Sequence, residues 1–82
     1  MSKSLRSSAH GQLLVLLKDA RHRAGLTQAE VAQRLSKPQS YVAKVEGGER
    51  RLDLIEFIAF AKAIGSDPVK IVRALTRDGS EG

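Results

Sequence analysis

The chain has 82 residues, 14 Lys and Arg against 9 Asp and Glu, and no cysteine. That is one small domain without disulfides or thiolate metal sites, so packing must supply its stability, with oligomerisation as a further source open to it. Its formal charge is +5, and residues 1–51 hold ten cations against four anions while residues 52–82 hold four against five. The positive field therefore belongs to the first half, as a phosphate-facing surface requires.

Residues 1–8 are Ser-rich with two cations and no periodicity, and read as a flexible basic arm. A first helix is expected over residues 9–24, with Leu13, Leu14, Leu17, Ala20, Arg21 and Ala24 on its inner face. Gly25 is its stop. Thr27 followed three residues later by Glu30 is a capping box, which starts a second helix over residues 28–35. Val31, Ala32 and Leu35 face inward from it. Ser36, Lys37 and Pro38 interrupt the pattern before a third helix over residues 39–46. On a wheel of about 100° per residue, Tyr41, Val42 and Val45 fall on one side of it. Gln39, Ser40, Ala43 and Lys44 fall on the other. That outer face offers an amide, a hydroxyl, a small residue and a cation, donors suited to base edges and phosphates.

Gly47 and Gly48 end the third helix, and Glu49, Arg50 and Arg51 form a basic loop. Asp53 and Glu56 read as cap and third-position carboxylate of a fourth helix over residues 53–64. Leu54, Phe57, Ile58, Ala61 and Ile64 are its expected inner face, with Phe60 beside them. Asp67 and Pro68 open a fifth helix, with Val69, Ile71, Val72 and Leu75 as its apolar positions. Residues 76–82 read as a polar tail, leaving the folded domain at residues 9–75. No stretch alternates with period two for long enough to make a strand. The expectation is all-α: a compact five-helix domain with a helix-turn-helix in helices 2 and 3.

Chemistry other than binding finds no footing. His10 and His22 lie without metal-ligand spacing, and no nucleophile, base and acid recur in a usable set. Neither a metal, a cofactor nor a small-molecule ligand is expected, and the chain is not read as an enzyme. The longest apolar run, Leu13 to Leu17, is too short to span a bilayer. With no signal peptide and no cysteine, the expected location is the cytoplasm.

The runs GLTQAEVAQRL, PQSYVAKVEGGERRLD and FIAFAKAIGSDP resemble the lambda-repressor/Cro-like (Xre-type) helix-turn-helix family over about residues 13–75. The resemblance implies binding to double-stranded DNA with the third helix in the major groove. It places Gln39, Ser40 and Lys44 at base edges, and Gln28, Tyr41, Arg50 and Arg51 at the DNA backbone. It also implies a structural ion pair between Arg21 and Glu46. Many members carry Gly where Ser36 stands and a capping Ser where Pro38 stands.

A single short recognition helix offers too little contact for tight, specific binding. A homodimer reading half-sites about 34 Å apart is therefore expected. Ile55, Ala59, Val69 and Val72 are the candidate dimer surface. The roles compatible with the size are a small transcriptional regulator (a repressor first), a restriction-modification controller or an antitoxin. A protein-interaction module of the same fold would call for acidic or apolar groups on the third helix's outer face, where Gln39, Ser40 and Lys44 stand instead.

Overall fold

Phe60 has no exposed surface, and Leu17, Val31, Val42, Val45 and Ile64 close around it to form the centre of the core. The computed structural model describes residues 8–79. Five helices supply the core: α1 (Ser8–Arg23), α2 (Gln28–Leu35), α3 (Gln39–Glu46), α4 (Leu54–Ala63) and α5 (Pro68–Gly79). α2 packs on α3 and α4, while α1 packs on α5 and α3, so α3 is backed by two helices. The other side of α3 is left to solvent.

The helix starts follow the expected chemistry. Thr27 Oγ1 accepts from Glu30 N at 3.0 Å and Glu30 Oε1 accepts from Thr27 N at 2.8 Å, which completes the first capping box. Asp53 and Glu56 repeat the exchange at α4, and Asp67 Oδ1 accepts from Val69 N at the start of α5.

The helix ends share one device. Beyond α1, α2, α3 and α4, paired backbone bonds of the Schellman type close the last turn around a residue at positive φ. Three of those residues are Gly25, Gly48 and Gly65. The fourth is Ser36, with φ 58° and ψ 43°, the only positive-φ residue other than glycine among those described. Its neighbours' bonds are intact, with Lys37 N donating to Ala32 O at 2.9 Å and Ser36 N to Gln33 O at 3.1 Å. The cost is therefore confined to the Cβ of Ser36, about 1 kcal/mol relative to Gly. Ser36→Gly is expected to raise the melting temperature by roughly 4–8 °C; a lower melting temperature by differential scanning calorimetry would contradict this.

Four expectations need correction. Leu54, assigned to the inner face of α4, is 66% exposed: it opens the helix and lines an open groove shared with Pro68, Val69 and Val72 of α5. Ala24, given to the inner face of α1, is exposed just past the end of that helix. The polar tail begins later than Thr76, since α5 continues to Gly79, and Thr76 Oγ1 donates back to Arg73 O at 3.0 Å. Ser8, placed in the arm, opens α1; the rest of the arm and residues 80–82 lie outside the described residues.

Candidate nucleic-acid interface

Burial divides α3 as the wheel does. Val42, Val45 and Glu46 are buried, Tyr41 is half-buried, and Gln39, Ser40, Ala43 and Lys44 are all exposed. The amide, hydroxyl and cation therefore stand together on one uncovered surface of a short helix fixed from behind.

What fixes it is a polar cluster under the helix-turn-helix. Arg21, from α1, donates through Nε to Glu46 Oε2 at 2.6 Å and through Nη2 to Glu46 Oε1 at 3.0 Å. Their side chains are 9% and 2% exposed. Arg21 Nη1 also donates to Leu26 O at 2.8 Å, and its Nη2 lies 3.2 Å from His22 Nε2. One guanidinium thus ties α1, the loop after it and the end of α3 together. Burial alone would push the Glu46 carboxyl up. Hydrogen bonds from Arg21 and Gln28, with the charges of Arg21 and Lys18, outweigh that and hold it below the ordinary carboxylate range.

Gln28 joins the cluster from α2. Its Nε2 donates to Glu46 Oε1 at 3.0 Å, and its Oε1 accepts from Gln39 Nε2 at 3.5 Å. The side chain assigned to a phosphate thus spends one of its two N–H donors inward and keeps one. It is the first residue of α2, where backbone N–H groups lack partners within the helix and suit an anion.

The other end of the surface is built around Tyr41. Lys37 Nζ lies 5.2 Å from its ring centroid, and the Arg50 guanidinium carbon 4.9 Å from it. Burial raises the Tyr41 phenol above its ordinary value; the charges of Glu56 and Asp53 add to this while Arg50 opposes it. The hydroxyl stays protonated at neutral pH and can donate to a phosphate oxygen. Arg50 is itself engaged, with Nη2 donating to Glu56 Oε2 at 2.7 Å and Nη1 to Arg51 O at 2.8 Å. Arg51 is exposed and holds no ion pair among the described residues.

Lys37 was not singled out in the sequence, although a cation four residues before an aromatic in a tight turn is a readable signal. The structure brings Gln28, Gln39, Ser40, Tyr41 and Lys44 onto the helix-turn-helix, with Arg50 and Arg51 in the adjoining loop. Ile55, Ala59, Val69 and Val72 stand exposed on α4 and α5. Leu54, Phe57, Ile58, Pro68, Val69 and Val72 line a shallow groove of about 230 Å³ between these two helices. Among the described residues, no group of three or more His, Cys, Asp or Glu could hold a metal ion. No described helix is long and apolar enough to cross a membrane.

Comparison with known proteins matches residues 12–74 to the family described as a helix-turn-helix domain. A solved structure of an XRE-family like protein from Pseudomonas syringae pv. tomato str. DC3000 is 46% identical, covers 93% of each chain and superposes with a TM-score of 0.86. No curated protein matches by sequence.

Proposed function

Because the chain belongs to the XRE-type helix-turn-helix family, a family of DNA-binding regulators, we propose that it binds double-stranded DNA sequence-specifically as a small transcriptional repressor. In this reading a homodimer sits on a palindromic operator, with α3 of each copy in successive major grooves about 34 Å apart. The observation that carries it is the uncovered face of α3, where Gln39, Ser40 and Lys44 surround the small Ala43.

Each contact has a physical assignment. Gln39 can pair with adenine N6 and N7, and Lys44 can donate to guanine O6 or N7, each contact worth about 1–3 kcal/mol of discrimination. Ser40 can donate or accept and so carries less information. Gln28 and the first amides of α2 meet one strand's backbone, while Tyr41, Arg50 and Arg51 meet the other. Ile55, Ala59, Val69 and Val72, joined by the unexpected Leu54, form the face shared by the two copies.

A salt titration on a selected operator and on random DNA tests the reading. Lys44→Ala and Gln39→Ala are expected to lose discrimination at particular base pairs and to retain most binding to random DNA. Arg51→Ala should weaken binding to all sequences about equally and make the salt slope shallower by about one unit. Arg51 is the cleaner probe than Arg50, whose loss would also release Glu56 and Tyr41. Parent-like behaviour of all three variants on both DNAs would remove α3 and its loop from recognition.

A further inference from the structure

We infer that Glu56 is a brake on DNA binding: it keeps the Arg50 side chain stowed against the protein, so that a phosphate has to win the guanidinium from a carboxylate of the same chain. The inference rests on the DNA-binding role proposed above. It adds a residue that limits affinity, through Arg50, without reading a base.

The donors of Arg50 define the stowed arrangement. Nη2 donates to Glu56 Oε2 at 2.7 Å, and Nη1 donates to the carbonyl oxygen of the next residue, Arg51, at 2.8 Å. A side chain bonded to its own neighbour's carbonyl is folded back along the loop rather than extended from it. The guanidinium carbon lies 4.9 Å from the Tyr41 ring centroid, so the ring adds a third hold. Both terminal nitrogens, which would grip a phosphate as a fork, thus have partners within the chain. Lys37, beside the same ring, holds no ion pair among the described residues. Of the two cations at Tyr41, the chain neutralises only Arg50.

The contact can open without undoing the fold. The Arg50 amide donates to Lys44 O at 3.1 Å, which ties the loop backbone to the last turn of α3 whatever the side chain does. The start of α4 does not need the arginine either. Glu56 Oε1 accepts from Asp53 N and Asp53 Oδ1 accepts from Glu56 N, a capping box complete without Arg50. The side chains of Arg50 and Glu56 are 40% and 28% exposed, so water can replace either partner. Arg50 can therefore swing onto a phosphate while loop and helix keep their places. A phosphate arriving while Glu56 still held the guanidinium would crowd two anions onto one cation, which makes the carboxylate a competitor.

Glu56→Gln removes the charge and keeps an oxygen for the capping box. At one fixed salt concentration this variant should bind both a selected operator and random DNA about threefold more tightly per copy of the chain. Base preferences should not move, because backbone contacts carry no sequence information. In an Arg50→Ala background the same change should tighten binding by less than about 1.5-fold per copy. Glu49→Gln in the parent, which takes an equal charge from the same exposed loop, should do as little. Circular dichroism and thermal melting check the fold. Should Glu56→Gln not fold, Glu56→Asp serves instead, since it withdraws the carboxylate from Arg50 and should also tighten binding.

Binding no tighter than the parent's would overturn the inference. Weaker binding would do so by making Glu56 a support that orients Arg50 for the phosphate. Tightening that persists without Arg50, or that Glu49→Gln reproduces, would reduce the effect to net charge and overturn it as well. Each of these results leaves the proposed function standing, whereas a parent that binds no DNA overturns both.

Discussion

Arg21→Ala is expected to destabilise the domain by about 3–5 kcal/mol, the cost of leaving a buried charge without its partner. Glu46 would keep its carboxylate at 2% side-chain exposure with only Gln28 to donate to it, and Leu26 O would lose its donor. Against a total stability of roughly 5–15 kcal/mol, a loss of that size leaves a domain at the edge of folding. The pH dependence should distinguish this cause from lost packing. In the parent, the depressed Glu46 carboxyl contributes stability that is complete above the ordinary carboxylate range and disappears as pH falls through its lower folded value. The denaturation midpoint should therefore be flat above about pH 5 and fall below about pH 4. Without Arg21, burial dominates and the folded carboxyl rises above its unfolded value, so stability is lost as pH increases. Urea denaturation should find Arg21→Ala more stable at mildly acidic than at neutral pH. A variant with the parent's pH profile would show that the ion pair is not what holds the two helices.

Ile55→Asp is expected to weaken binding to a palindromic operator by about 100-fold while leaving each folded copy intact. Ile55 is 73% exposed at the second position of α4, so a carboxylate there loses little packing and suits the positive helix end. Across the proposed two-fold axis, however, it would put two like charges into an apolar contact. Binding to an isolated half-site should not change. Sedimentation should show the parent as a dimer and the variant as a monomer at the same micromolar concentration. A monomeric parent with and without the palindrome would exclude this surface and the dimer with it.

What could be read from the sequence was local. The two capping boxes, the glycine stops and the division of α3 each depend on residues within a turn or two of one another, and the structure has them in place. The Arg21–Glu46 pair spans 25 positions, a separation that local periodicity does not encode; only the family resemblance implies it. The failures came where one helix meets another. Leu54 has the spacing of an inner residue, but at the start of α4 it lines an open groove beside α5 instead of entering the core. Residues 76–79 look polar enough for a tail, yet the helix backbone does not stop for polarity. The side-chain bonds of Gln28, Gln39 and Arg50 to distant partners depend on how α2, α3 and α4 are arranged, which spacing does not encode.

The ion pair between Arg50 and Glu56 changes how cations on this surface should be counted. A lysine or arginine that meets solvent alone sheds condensed counterions from DNA when it engages a phosphate, and each such event steepens the salt slope. Arg50 arrives with a counterion built into the chain. To engage a phosphate fully it must exchange one anion for another, and Glu56 must then find solvent or a cation of its own. The entropy gained from the ions leaving the DNA is partly returned by the carboxylate left behind. Salt titrations should therefore register fewer charges than the contacts visible in a complex, and the shortfall would belong to the loop rather than to the helix that reads the bases.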